Sequence, residues 1–115
     1  MSDKFPVAPR GLRPETKKWF IEVVREFVLE ATHVRLLTLA CRAWDRQLEA
    51  RESLAKNGLT FKDKHGTLRP RPEVVIEKNA AILFSRLIRE LRLSDAPEPD
   101  EGMPRNTTIA QRRRL

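Results

Sequence analysis

"HVRLLTLACRAWDRQLEARESLAKNG", residues 33–58, runs from His33 to Asn57 without a proline or glycine and then meets Gly58. Leu37, Cys41, Trp44 and Leu48 recur at intervals of four, three and four, which returns side chains to one face of a helix. Gly58 after Asn57 is a helix terminator, because glycine enters the left-handed region without a Cβ penalty. At about 1.5 Å per residue this helix reaches about 38 Å, longer than a small domain needs. Beside the first stripe runs a second, Leu36, Ala40, Ala43, Ala50 and Leu54, whose small side chains let another helix come close. Two adjacent apolar stripes serve either two partners, one inside the subunit and one in a second copy, or the subunit's own core alone. Periodicity does not choose between them. The first possibility makes Leu36, Leu37, Ala40, Trp44 and Leu48 candidate oligomer contacts.

Toward the N-terminus, "VLEAT" at 28–32 breaks the periodicity, and Thr32 is placed to cap the long helix through a side-chain oxygen. Before it, Trp19, Phe20, Val23, Val24 and Phe27 share one face of a first helix, with Lys17, Lys18, Glu22, Arg25 and Glu26 on the other. That helix starts at Pro14, whose missing N–H costs nothing at the first helical position, and Glu15 suits the positive end of the helix dipole. Pro6, Pro9 and Gly11 leave residues 1–13 as a flexible arm.

Toward the C-terminus, Leu59 and Phe61 alternate with Thr60 and Lys62, and "TLR" at 67–69 can pair with them around "DKHG" as a short hairpin. Pro70 ends the extended segment and Pro72 opens a third helix. Its Ile76, Ala80, Leu83, Phe84, Leu87 and Leu91, at spacings of three and four, read as a core face. From residue 95 onward prolines and scattered apolar residues predict a disordered tail, with Asp95, Glu98, Asp100 and Glu101 first and Arg105, Arg112, Arg113 and Arg114 last. The expected fold class is therefore mainly α. It is a three-helix subunit over residues 14–94 with a long central helix, a hairpin-like connector between the second and third helices, and flexible ends.

The chain has 115 residues, the size of one domain, and 23 Lys and Arg against 16 Asp and Glu, a formal charge of +7. Such an excess favours polyanionic partners. Uncharged runs such as "NAAILFS" at 79–85 are far shorter than the ~20 residues that span a bilayer, and the N-terminal residues lack a signal-peptide apolar region. A soluble intracellular protein with no membrane partner is expected. The single cysteine, Cys41, sits within an apolar pattern as a packing residue.

Chemistry-bearing motifs are scarce. His33 and His65 lie in different elements with no nearby second ligand, so no zinc spacing exists, and no Gly-Lys-Ser/Thr phosphate loop follows either Gly58 or Gly66. The carboxylates Asp45 and Glu49, at i and i+4 between Arg42 and Arg46, read as a solvated helix face rather than a catalytic pair. No enzyme activity, metal or cofactor is expected.

The order of segments carries more information than any one motif. "LRPETKKWFIEVV", then "LLTLACRAWDRQLEARESLAKNGL", a basic turn with glycine, "RPRPEVVIEKNAAILFSRLIRELRL" and a polar tail together resemble the small subunit of tailed-phage terminases, over about three quarters of the chain. The strings of most weight are "AWDRQLEARE", "NGL" followed by "RPRPEVV", and "FSRLIREL". Two positions depart from the family pattern: Arg71 stands where a histidine often precedes the proline, and Leu91, Arg92 and Leu93 replace a frequent Leu-Gly-Leu.

The resemblance implies a non-enzymatic DNA-packaging factor in the cytoplasm of an infected bacterial host. Such a factor recognises double-stranded viral DNA, assembles as a homo-oligomeric ring and regulates a large subunit that supplies ATPase and nuclease. Within residues 61–72 Lys62, Lys64, Arg69 and Arg71 face the single acid Asp63, a net +3 that oligomerisation would repeat around the assembly. Lys17 and Lys18, and Arg112, Arg113 and Arg114 in the tail, are further candidate DNA contacts; Arg35 and Arg42 are candidates for ion pairs between subunits. The alternative is a helical protein-interaction adaptor that does not bind DNA. A helix-turn-helix regulator ranks behind both, because the break at 28–32 precedes a helix too long for a typical recognition helix.

Overall fold

The computed structural model describes residues 5–93 and 111–112. Three helices, α1 (Pro14–Glu26), α2 (Ala31–Asn57) and α3 (Pro72–Leu91), carry the architecture. A two-residue strand β1 (Phe27–Val28) links α1 to α2, and β2 (Thr60–Lys62) and β3 (Leu68–Pro70) form an antiparallel hairpin between α2 and α3. A last strand, β4 (Gln111–Arg112), pairs antiparallel with β1 in the register Phe27 to Arg112 and Val28 to Gln111. The tail expected over residues 95–115 otherwise falls outside the described residues.

α2 and α3 are antiparallel neighbours. Ser53 Oγ donates to Glu73 Oε2 at 3.2 Å, Arg51 Nε meets Glu77 Oε2 at 3.2 Å, and Trp44 lies 4.9 Å from the Phe84 ring. Farther along, Leu37, Ala40 and Cys41 enter one core with Leu87 and Leu91 of α3 and with Phe20, Val23, Val24 and Phe27 from the α1 side. Each large apolar side chain enclosed there contributes about 1.5–3 kcal/mol relative to exposure. Burial, with a smaller push from Asp45, raises the Cys41 thiol to about 12, as suits a side chain enclosed in the core.

The subunit's own core takes much of each stripe of the long helix, but not all of it. Leu37 and Cys41 of the first are wholly buried, as is Ala40 of the second; Ala43, Ala50 and Leu54 are buried too. The first stripe meets α1 and the aromatic contact with Phe84, and the second carries residues of the α2–α3 contact.

The helix ends show where local rules were replaced by longer-range ones. α1 has Pro14 in its first turn but no side-chain cap from Arg13. Asp45 of α2 takes that role: its Oδ2 accepts the Arg13 N–H at 2.9 Å and its Oδ1 accepts the Thr16 hydroxyl. The Arg13 guanidinium then grips Glu52 with bonds of 2.6 and 3.1 Å. Asp45 is therefore part of a partly buried clamp on the positive end of α1, not of a solvated helix face.

α2 begins before the expected cap. Glu30 is its N-cap, and Thr32 is an exposed residue of the first turn. The Glu30 side chain accepts the His33 N–H while His33 Nδ1 accepts the Glu30 N–H at 3.3 Å, a reciprocal box that satisfies two otherwise free donors. At the other end Gly58, at φ 86°, gives its N–H to Leu54 O at 2.7 Å, as expected of that glycine.

Two further expectations change. Phe27 is the extended C-cap of α1 rather than a helical residue, yet it stays buried in the core. On α3 the presumed core face divides in two: Leu87 and Leu91 are buried, whereas Ile76 and Leu83 are 42 % and 39 % exposed. Residues 76, 80 and 83 form one flank at i, i+4 and i+7, and 84, 87 and 91 another; the second enters the core that α2 shares with α1. The arm at residues 5–13 has no helix or strand, as its prolines predict, but Ala8 and Leu12 rest against the core and Arg25 lies 5.9 Å over the Phe5 ring.

Candidate nucleic-acid interface

The hairpin between α2 and α3 is organised by one acid. Asp63 Oδ1 accepts the N–H groups of His65 and Thr67 at 2.9 and 3.0 Å, and Oδ2 accepts Arg69 Nε at 2.7 Å. Gly66, at φ 78°, completes the turn, and its N–H reaches Asp63 O at 2.9 Å. The Arg69 bond foremost, then the two backbone bonds, hold the Asp63 carboxyl below its ordinary range.

The four basic residues of this connector consequently have different standing. Arg69 is paired with Asp63, and Arg71 ties the connector shut through its N–H to Leu59 O at 2.9 Å and its Nε to Asn57 O at 3.2 Å. Lys62 and Lys64 are exposed and make no ion pair with another described residue. Alternation along β2 sets Lys62 on the face opposite the half-buried Phe61, beside Leu68 on β3. Lys64 and His65 project at the tip. The protruding charge is thus concentrated in two lysines, with two arginines as their frame.

A second basic surface follows α1. Lys17 and Lys18 are exposed and, with Ile21 and Arg25, border a shallow depression on the outer face of the helix, interrupted by Glu22. Because β1 continues directly from α1, the pairing of β4 brings the backbone of Arg112 to the far end of that helix. Arg113 and Arg114 lie outside the described residues.

The candidate oligomer contacts are distributed unevenly. Leu37 and Ala40 are enclosed by their own subunit, Leu36 and Leu48 are half-buried, and Trp44 retains 38 % of its surface. A residue the periodicity did not single out, Leu39, is 44 % exposed. It lies on the flank of the second stripe turned away from the first, where Ile76 and Leu83 join it along an open groove of about 840 Å³ between α2 and α3. Spacing alone cannot reveal this groove, since it depends on which flank of α3 meets α2. Of the two arginines expected in ion pairs between subunits, Arg42 borders this groove and Arg35 is exposed near the start of α2.

No three His, Cys, Asp or Glu side chains among the described residues form a metal site, and no described helix is long and apolar enough to cross a membrane. A family model described as phage terminase, small subunit, matches residues 17–99, well over half of the chain. The chain belongs to the phage terminase small subunit family. That family is in general the non-catalytic component of the packaging motor. Neither a curated protein nor a solved structure matches the chain significantly.

Membership gives the two departures from the family pattern a physical reading. Arg92, which stands where the small subunits often have glycine, is the C-cap of α3 at φ 49° and ψ 52°, in the left-handed region that glycine enters most easily. Arg71, in place of a histidine, is the N-cap of α3 and the residue that ties both ends of the connector.

Proposed function

We propose that this terminase small subunit is the DNA-recognition and regulatory part of its packaging motor. It binds double-stranded viral DNA as a homo-oligomeric ring and recruits or stimulates the large ATPase and nuclease subunit in the host cytoplasm. The observation that carries the reading is the family match over residues 17–99 joined to a hairpin whose lysines stand free while its arginines brace it. Lys62 and Lys64 are the first phosphate contacts; Arg69 and Arg71 hold the hairpin in shape and add long-range charge. Lys17, Lys18 and the tail arginines Arg112, Arg113 and Arg114 extend the surface. Contacts of this type release counterions and fix position without reading bases, so affinity falls steeply with salt. Repetition of a weak site around an assembly strengthens binding through effective concentration.

Fluorescence anisotropy with duplex DNA over a salt series tests this. The wild-type chain binds with a steep negative slope of log affinity against log salt. Lys62→Glu/Lys64→Glu flattens that slope and weakens binding at least tenfold at low salt, by removing two phosphate contacts per subunit. Binding indifferent to both salt and the double substitution removes the DNA reading and leaves the adaptor.

A further inference from the structure

The hairpin between α2 and α3 has two faces, and the subunit uses one of them. Side chains alternate along a strand, so Phe61 and Arg69 point one way, while Thr60, Lys62, Leu68 and Pro70 point the other. The first face is spent on structure: Phe61 is half-buried and Arg69 is held by the Asp63 that also closes the turn. All four residues of the second face are exposed, and among the described residues their side chains make no hydrogen bond or ion pair. That face carries no acid. Leu68 keeps 64 % of its surface exposed and is the direct cross-strand partner of Lys62. Lysines alone serve to hold phosphates; a leucine set beside one of them on a braced, outward face offers a contact of a different kind.

We propose that this outer face enters the major groove of duplex DNA and that Leu68 reads a thymine there, by contact with its C5-methyl group. Paired strands lie about 4.8 Å apart and the major groove is about 12 Å wide, so a two-stranded ribbon fits it; the minor groove, about 6 Å wide, is too narrow. The hairpin is free to enter because it joins the end of α2 at Asn57 to the start of α3 at Pro72, and so projects from one end of the antiparallel helix pair. Thr60 and Lys62 stand two residues apart on β2, about 6.7 Å, which matches two base-pair steps of about 3.4 Å. The Thr60 hydroxyl, which donates or accepts, is therefore a second base contact two steps from the thymine. The stem of Lys62 runs beside Leu68 and carries its ammonium past the edge of the ribbon to a phosphate, and Lys64 takes another from the tip. The lysines set position and Leu68 supplies discrimination. Resting on the reading that the hairpin binds duplex DNA, this contact adds to it a sequence preference and the side chain that sets it.

The test is selection of duplexes from a randomised pool by the full chain, followed by anisotropy on the enriched duplex. The wild type enriches sequences with a fixed thymine. Uracil at that position removes only the methyl group, and weakens wild-type binding about fourfold, the value of one buried methyl. Leu68→Ala binds the thymine and uracil duplexes equally, yet keeps the wild-type salt slope because no phosphate contact is lost; that slope also shows the variant to be folded and competent for DNA. Lys64→Gln does the reverse: it weakens binding to every duplex and lowers the salt slope by about one, while the thymine preference stays. If the thymine preference survives in Leu68→Ala, or uracil binds the wild type as well as thymine does, base reading by Leu68 is overturned. Binding of the pool with no sequence enriched overturns it too, and leaves the phosphate contacts of the hairpin standing. A wild-type chain that binds no duplex at any salt overturns the base contact and the DNA reading together.

Discussion

The two sides of the α2–α3 pair have opposite fates. On one side α1 lies across the pair: Phe20, Val24, Leu37 and Leu91 are enclosed, and Trp19 and Trp44 converge on Phe84 at 6.1 and 4.9 Å. On the other side Leu39, Ile76 and Leu83 border an open groove that no described residue covers. Both sides carry apolar residues, but only one is covered, by a third helix pinned at its end by Asp45 and Glu52. A helix pair of this kind has more apolar surface than one covering helix can close. The remainder is available for a partner of the same chemistry.

The comparison breaks most severely at the covered side. Leu37→Ala removes a wholly buried side chain and should cost about 2–5 kcal/mol in denaturant unfolding, enough to threaten folding of a chain this small. Next comes Asp45→Ala, which strips α1 of the acceptor for the Arg13 N–H and the Thr16 hydroxyl. A loss of about 1–3 kcal/mol is expected, with faster amide exchange in α1 than in α2. Leu39→Ser/Leu83→Ser works on the open side and should separate the two properties. Stability of the monomer changes by less than about 1 kcal/mol, while self-association weakens by at least tenfold.

Smaller effects come from charge and backbone. Glu52, through its bond to Arg13, and Asp63, through its bond to Arg69, both have lowered pKa values in the folded chain. Each therefore supports the fold above the ordinary carboxylate range, and that support is lost as the pH falls through the lower folded-state value. In an acid titration followed by NMR, the start of α1 and the hairpin turn should loosen before the Phe20–Leu37–Leu91 core does. Arg92→Gly should be the mildest change, a stabilisation of up to about 1 kcal/mol in thermal or denaturant unfolding, because the residue already sits at φ 49°.

How much of this was legible in the sequence follows from how local each signal is. Pro14, Gly58 and Pro72 mark backbone positions by their own chemistry, so three helices and the hairpin could be read directly. The Glu30–His33 box escaped because its acceptor is a glutamate and its second member a histidine, where Thr32 offered a commoner cap two residues later. Asp45 looked like part of a solvated face because its partners, Arg13 and Thr16, are distant in sequence. At the candidate site, spacing gave the four connector cations but not their division into free lysines and bracing arginines. That division depends on the bond Asp63 makes to Arg69 and on those Arg71 makes to the Leu59 and Asn57 carbonyls. The open groove was the least legible feature, since Ile76 and Leu83 fit a helical core pattern as well as a surface one and Leu39 belongs to neither stripe of α2.

Hydroxyl-radical footprinting across a dilution series tests most directly whether the uncovered side is the contact side. As concentration rises, Leu39, Ile76 and Leu83 should lose reactivity together, while the exposed Leu59 and Leu68 of the connector and the already buried Phe20 stay unchanged. Protection that appears at Leu59 and Leu68 instead, with Leu39, Ile76 and Leu83 as reactive in concentrated protein as in dilute, would contradict the account.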